Sequence, residues 1–137
     1  MNQPKRILVV DDKEFTRRGL KAFLANFPDY QVVGEAGNGQ EAMQWVADHA
    51  VDIIIMDINM PFMSGLEATQ IIRQQGWPVK IVAWSISSLN RGAALAAGAD
   101  AFISKTEPPD AILSTLHRMS AEMGSGDKKV IGAPDEI

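Results

Sequence analysis

Residues 51–57 of the chain read VDIIIMD, a run of branched apolar residues that ends in an acid. Its length and its isoleucine content are typical of a strand buried on both faces of a parallel sheet. Asp57 closes this strand although a carboxylate is costly to desolvate and adds nothing to packing. Pro61 and Gly65 mark a short loop after it, and Ser64 is suited to cap the next helix. The stretch therefore predicts an acid held at the rigid end of a central strand.

Similar segments recur along the chain in alternation with helical ones. Four more β-branched runs predict strands at residues 7–10, 30–36, 79–84 and 101–104. The spacing of apolar residues predicts three helices, at residues 15–27, at residues 88–97, and from residue 110 to 119 or a little beyond. Capping signals predict two more, which begin after Asn38 and after Ser64. This alternation predicts an α/β fold with a doubly wound, five-stranded parallel sheet of the flavodoxin-like type, in the order 2-1-3-4-5.

Composition limits the class of protein. The chain has 137 residues, of which 46% are hydrophobic and 22% charged, as in an ordinary globular domain. We assign residues 1–123 to that domain and residues 124–137, rich in Gly, Pro and charge, to a tail or linker. The chain has no cysteine, which excludes disulfides and thiolate metal sites, and its net charge of −4 argues against nonspecific nucleic-acid binding. A polar N-terminus and the lack of a membrane-length apolar run predict a cytoplasmic protein.

Three acids follow the two strands that meet at the topological switch point of this fold. Asp11 and Asp12 come after the first strand, and Asp57 ends the third. Strands 1 and 3 are neighbours in the predicted order, and ligands bind at their carboxyl ends. Carboxylates a few ångströms apart destabilise a fold unless a cation lies among them. A hard divalent ion such as Mg²⁺ and the ammonium group of Lys105, after the fifth strand, are complementary candidates for that cation.

Lys105 and Ser85 add hydrogen-bond donors to the same edge of the sheet. Ser85 follows the fourth strand, and the stem of Lys105 is long enough to reach toward Asp57. Carboxylates, a metal, an ammonium group and a hydroxyl together suit a phosphoryl group, because the cations and donors bind its oxygens. No histidine or further acid suggests general acid-base catalysis on an organic substrate.

With these residues the chain resembles the receiver domains of two-component response regulators. The resemblance covers about residues 5–120 and rests on the acidic pair Asp11-Asp12, on Asp57 with Met60, Pro61 and Gly65 after it, on Ser85 and on Lys105. It implies a signalling switch in which Asp57 attacks the phosphorus of a phosphohistidine on a sensor histidine kinase or phosphotransfer protein. Such a domain is an enzyme only in a narrow sense, because it catalyses its own phosphorylation and dephosphorylation.

The resemblance also implies a ligand set for Mg²⁺. Asp12 and Asp57 would bind the ion directly, together with the backbone carbonyl oxygen of Asn59. Asp11 would bind it largely through water.

A switch is implied as well. Lys105 would pair with the phosphoryl group, and Ser85 would donate a hydrogen bond to it after a small inward shift. Rotation of Phe102 would follow that shift and alter the surface around the fourth helix, the fifth strand and the last helix. Thr106 departs from the family pattern, which usually has proline after the lysine.

The output of the switch is less defined by the sequence. The wording MPFMSGLE at residues 60–67 resembles receivers attached to helix-turn-helix domains, so DNA would be bound only through an output domain absent from this segment. A stand-alone receiver that acts through protein contacts is equally compatible with the chain. Activation could also bring two copies together as a homodimer. No contact with a membrane is expected.

Three rival classes share part of the pattern. A degenerate receiver that binds partners without phosphorylation would keep the fold, although all the key residues are intact here. A phosphohydrolase of the haloacid-dehalogenase type would need a second acid two residues after the nucleophile, where Asn59 stands. A flavin-binding flavodoxin-like protein would need a phosphate loop after the first strand, where Asp11 and Asp12 would repel the phosphate.

Overall fold

Strands and helices alternate along the chain in the computed structural model, which describes residues 3–123. The elements are β1 (Lys5–Val10), α1 (Glu14–Leu24), β2 (Tyr30–Ala36), α2 (Gly39–Asp48), β3 (Ile53–Asp57), α3 (Gly65–Gln74), β4 (Lys80–Ser85), α4 (Arg91–Ala97), β5 (Ala101–Ser104) and α5 (Asp110–Met123). The strands form one parallel sheet in the order β2-β1-β3-β4-β5, which confirms the predicted doubly wound fold. The tail predicted at residues 124–137 lies outside the described part of the chain.

β3 lies at the centre of the sheet and is buried on both faces. Ile53 and Ile55 pack into the apolar layer that contains residues of α1 and α5. Ile54 and Met56 pack into the opposite layer, which contains residues of α2 and α3. Burial of each such side chain contributes about 2 kcal/mol to stability. The alternation along β3 therefore anchors the strand from both sides and holds Asp57 at a fixed place on its end.

Two helices begin with the caps that the sequence predicts. Asn38 accepts a hydrogen bond through its side-chain oxygen from the backbone N–H of Glu41, at 2.9 Å. Ser64 and Glu67 form a reciprocal capping box, with bonds of 3.2 and 3.3 Å. Each side chain satisfies a backbone donor that a helix end leaves free, which sets where α2 and α3 begin.

α1 ends earlier than predicted, at Leu24 rather than near Phe27. The side-chain amide of Asn26 donates to the carbonyl oxygens of Ala22 and Phe23, at 3.3 and 3.1 Å. The backbone N–H of Phe27 meanwhile bonds to the oxygen of Leu24, three residues back, at 3.0 Å. The chain therefore tightens into a turn, and the helix stops before the proline that was expected to end it.

α5 is the longest helix described and ends at Met123, a little beyond residue 119 as the sequence predicts. Pro108 and Pro109 precede it, and their carbonyl oxygens accept hydrogen bonds from the backbone N–H groups of Ala111 and Ile112, each at 3.0 Å. Prolines suit this position because the first turn of a helix needs no bond from their missing N–H. Within residues 3–123, no helix has the length and apolar character required to cross a membrane.

The region predicted as one helix over residues 88–97 is divided in two. A 3₁₀ turn at Ser88–Asn90 leads into α4, which begins only at Arg91. The far end of α4 is held firmly, since Gly98 closes it with a φ of 115° and accepts a 2.8 Å bond from Nε of Arg73. A Cβ on Gly98 would lie 2.5 Å from Cγ of Arg73, so both the backbone angle and the close approach require glycine.

Candidate functional site

Asp57 is a buried carboxylate with one satisfied oxygen. Only 2% of the residue is exposed. Its Oδ1 accepts a 3.3 Å hydrogen bond from the backbone N–H of Asn59 and lies 3.3 Å from Nζ of Lys105. Its Oδ2 is buried and has no hydrogen-bond partner within residues 3–123. A buried oxygen of this kind is costly in a folded protein, which marks it as a place where a bound group is expected.

The pKa of Asp57 is raised from 3.8 to about 6. Burial is the main cause, because it disfavours the charged form, and the nearby carboxylate of Asp11 adds to it. Lys105 and the backbone N–H of Asn59 partly offset the rise by favouring the charged form. The carboxylate is thus ionised near neutral pH, but only against a penalty from its surroundings.

Lys105 binds Asp11 more closely than it binds Asp57. Its Nζ lies 2.6 Å from Oδ2 of Asp11, a residue that is fully buried. The other oxygen of Asp11 accepts a 2.9 Å bond from the backbone N–H of Lys13. The sequence placed Lys105 beside Asp57, and the structure shows it shared between two carboxylates. The ammonium group therefore already neutralises part of the acidic cluster.

Three carboxylates come together at this edge of the sheet. Asp11, Asp12 and Asp57 each offer an oxygen, and these atoms lie within 4.8 Å of one another. The side chain of Asp12 is 28% exposed, so the cluster opens to solvent on its side. A divalent cation such as Mg²⁺ suits this site, which is half open, offers hard oxygen ligands and includes the Oδ2 of Asp57 that has no partner among residues 3–123. The residues present therefore fit a divalent metal ion.

The loop after β3 is shaped by a close approach that the sequence did not reveal. A Cβ on Gly65 would lie 2.0 Å from the carbonyl oxygen of Asp57, so no other residue fits there without movement of the backbone. The N–H of Gly65 bonds to the oxygen of Ile58 at 3.0 Å. Phe62 lies in the same loop with a φ of 68°, which is unusual for a residue other than glycine. The start of α3 is thereby packed directly against the acidic site.

Ser85 ends β4 and is fully buried, but its hydroxyl is held by the following loop. Its Oγ accepts a 2.9 Å hydrogen bond from Nδ2 of Asn90 and a 3.3 Å bond from the backbone N–H of Ser87. The carbonyl oxygen of Ser85 accepts a 2.7 Å bond from the N–H of Lys105, which ties the ends of β4 and β5 together. Sequence reasoning did not find Asn90, because nothing in the spacing shows which way its amide points.

Two aromatic residues lie on β4 and β5, the strands that carry Ser85 and precede Lys105. Phe102 is half-buried and packs against the small cluster of Ile58, Ala83 and Ala94, beside α4. The ring of Trp84 lies under Lys105, whose Nζ is 4.9 Å from the ring centroid. A cation over an indole face is attracted by the ring, so Trp84 helps to position the lysine.

Comparison with known proteins places this geometry in a family. The profile of the family described as response regulator receiver domain matches residues 7–117. The chain belongs to this family. It is therefore a receiver domain of the kind found in two-component response regulators, which the sequence analysis expected.

Individual relatives agree with this assignment. The nitrate/nitrite response regulator NarL of Escherichia coli K12 is 36% identical over 121 residues, which are 87% of this chain and 56% of NarL. A LuxR-family response regulator from Aurantimonas sp. SI85-9A1 is 30% identical with a TM-score of 0.81, covering 87% of this chain and 86% of that one. The receiver domain of Ssk1, crystallised with the Saccharomyces cerevisiae phosphotransfer protein Ypd1, is 25% identical with a TM-score of 0.78, covering 90% and 93%. This chain spans about half the length of the curated relatives it matches.

Proposed function

We propose that this receiver accepts a phosphoryl group on Asp57 and changes its surface in response. The observation that carries the proposal is the buried Asp57 carboxylate, which has one oxygen without a hydrogen-bond partner in the described chain and lies beside Lys105, an ammonium group that it shares with Asp11. A structural acid would be expected to have both oxygens satisfied. A buried acid with a raised pKa beside a lysine is instead suited to react.

The reaction is a transfer between two residues. An oxygen of Asp57 attacks the phosphorus of a phosphohistidine, an O–P bond forms, and the P–N bond breaks with its electron pair leaving on the imidazole nitrogen. Lys105 lies 3.3 Å from Asp57 and supplies positive charge where the phosphoryl oxygens would lie. Hydrolysis by water then restores the carboxylate and releases phosphate.

Mg²⁺ would be held by Asp12 and Asp57, by the backbone carbonyl oxygen of Asn59, and through water by Asp11. When bound, it supplies positive charge that offsets the negative charge of the phosphoryl oxygens. The convergence of the three carboxylates supports this assignment. Asp11 is already paired with Lys105, which agrees with an indirect role for it.

Ser85 would couple the new phosphoryl group to the rest of the domain. A phosphoryl group brings about −1.5 to −2 of charge and strong acceptor oxygens, so the Ser85 hydroxyl gains a partner that it lacked. Phe102 packs against the cluster that contains Ala94 of α4, and its ring would follow an inward shift of Ser85. Only such a difference in contacts can move the population between two states. The target of the altered surface is an output domain or partner protein.

Exposed apolar side chains around the site favour a protein as phosphodonor. Phe15, Phe62 and Leu89 are 86%, 92% and 91% exposed, and each lies just beyond the carboxyl end of a strand. Large apolar side chains left in water commonly mark interaction surfaces. A sensor histidine kinase or phosphotransfer protein that delivers phosphorus to Asp57 would have to cover this edge of the sheet.

The direct test is the intact mass of the protein after incubation with acetyl phosphate and Mg²⁺. We expect one phosphoryl adduct, which disappears with EDTA and in an Asp57→Asn variant. Folded protein that binds Mg²⁺ but forms no adduct would show a receiver that works without phosphorylation.

Trp84 provides an optical measure of the same event. We expect its fluorescence to change when Mg²⁺ and a phosphoryl mimic such as beryllium fluoride are added, because Lys105 lies over its ring and would move toward the new anion. A Trp84→Phe variant should lose the change while Trp45 and Trp77 still emit. An equal response from native protein and the variant would contradict this.

A further inference from the structure

Asn90 lies directly before α4 in a position that normally caps a helix. Asparagine is among the preferred residues there, because its side-chain oxygen can accept a bond from a free N–H of the first turn. Asn90 makes no such bond within the described chain, and its backbone is already helical, with φ −79° and ψ −5°. Its Nδ2 instead donates to Oγ of Ser85 at 2.9 Å. The Asn90 side chain therefore bonds to Ser85 and does not cap α4.

The acceptor capacity of the Ser85 hydroxyl is filled in this arrangement. A hydroxyl oxygen has two lone pairs and one proton. The lone pairs of Ser85 are taken by Asn90 and by the backbone N–H of Ser87, at 2.9 and 3.3 Å. Its proton can still be donated, but the oxygen is held toward the loop. An inward shift of Ser85 must therefore stretch or break the shorter of these bonds, the one from Asn90.

If the bond between Asn90 and Ser85 breaks, the resulting movement of the chain would stay near the start of α4. The other end of the helix is fixed, because Arg73 bonds to the oxygen of Gly98 and to the carboxylate of Asp100, at 2.8 and 2.6 Å. Between Ser85 and Arg91 lies the 3₁₀ turn with the exposed side chain of Leu89. The segment free to rearrange is thus the one that presents an apolar side chain to solvent.

We propose that Asn90 is a positioning residue that holds Ser85 in its resting place and ties it to the first turn of α4. This rests on the proposed function, since it assumes that Ser85 moves toward a phosphoryl group on Asp57. Phosphorylation then competes with Asn90 for Ser85, and loss of the Asn90 bond frees the turn at Ser88–Asn90. A hydrogen bond of ordinary net strength shifts the equilibrium between the two positions of Ser85 about fivefold toward the resting one. A phosphoryl group on Asp57 can reverse a shift of this size.

The test is the rate of phosphorylation by acetyl phosphate and Mg²⁺, followed by intact mass. Asn90→Ala should react about fivefold faster than native protein, because Ser85 no longer has to leave a partner. Asn90→Ser is too short to reach Ser85 and should give the same gain. It controls for any effect of the alanine substitution other than loss of this bond. Ser88→Ala, in the same exposed turn, should leave the rate unchanged.

A double variant shows whether Asn90 acts through Ser85. In a Ser85→Ala background, Asn90→Ala should give no gain, since the bond is already absent. A slower or unchanged rate in both Asn90 variants, or an equal gain without Ser85, overturns the proposal. These outcomes differ from failure of the proposed function, in which native protein itself forms no adduct.

Discussion

Metal-free Asp57→Asn protein should be more stable than the native protein by about 3 kcal/mol at pH 7.5. The pKa of Asp57 is raised from 3.8 to about 6, so the ionised carboxylate is disfavoured in the folded state. A shift of about two units corresponds to about 3 kcal/mol. Asparagine has nearly the shape of the protonated acid and avoids this penalty. Unfolding by urea, with EDTA present, measures the difference.

The sign of the pH dependence follows from the same shift. Above pH 6 the folded protein carries the full penalty of the charged Asp57. As pH falls from 6 to about 4 the carboxyl group takes up a proton in the folded state before it does so in the unfolded chain, and the penalty disappears. The advantage of Asp57→Asn should therefore shrink through this range and vanish below it. An advantage that stays constant between pH 7.5 and 4 would contradict the assignment.

Asp12→Asn is the matched control for this measurement. Asp12 belongs to the same cluster, but its side chain is 28% exposed where that of Asp57 is 3% exposed. Burial is the largest cause of the Asp57 shift. We therefore expect Asp12→Asn to change the stability of metal-free protein by less than about 1 kcal/mol. An equal gain from both variants would mean that repulsion among the three acids, rather than burial, is responsible.

Lys105→Ala should have the opposite effect and lower the stability of the metal-free protein by about 3 kcal/mol. Its ammonium group is 2.6 Å from Asp11, which is fully buried, and 3.3 Å from Asp57. Removing one partner of a buried ion pair leaves an uncompensated charge, which is the costly case. The loss should grow as the pH rises and Asp57 ionises. Urea unfolding at pH 7.5 and 5 would show it.

Adding Mg²⁺ distinguishes the effect of Lys105 on stability from its effect on phosphorylation. We expect Lys105→Ala still to bind the ion, and binding at a hundredfold excess over Kd would restore about 2.7 kcal/mol. Phosphorylation by acetyl phosphate should nevertheless remain slower by about a hundredfold, the usual effect of losing one charged donor to a reacting group. A rate restored to the native value by Mg²⁺ would remove Lys105 from the reaction.

Lys13→Ala is the control for the lysine. Lys13 lies 3.4 Å from Asp12 in the same acidic region, but its side chain is 63% exposed. Surface ion pairs contribute little, so this variant should lower stability far less than Lys105→Ala does. A loss as large as that of Lys105→Ala would show that total charge, rather than burial, holds the site together.

Much of this fold could be predicted because its signals are local. The apolar run that ends at Asp57 marked the central strand, and the capping residues Asn38 and Ser64 marked two helix starts that the structure confirms. The end of α1 and the divided region before α4 were predicted wrongly. Both depend on side-chain hydrogen bonds, from Asn26 and around Ser87, that helical spacing does not record.

The candidate site shows the same division. The sequence placed Asp11, Asp12 and Asp57 at neighbouring strand ends, because strand order follows from the alternation of elements. It did not show that Lys105 lies closer to Asp11 than to Asp57, since a long flexible side chain has many orientations. The distance between Gly65 and Asp57 was likewise hidden, because glycine in a loop has several explanations.

The sequence by itself determined the strand order, the set of acids at the sheet edge and the family, because strands and helices have fixed periods and parallel strands end on one side. Tertiary structure alone decided which oxygen of Asp57 lacks a partner, how Lys105 is shared, and that Asn90 holds Ser85. These features depend on side-chain orientations set by packing between segments far apart in the chain. No periodicity in the sequence encodes them.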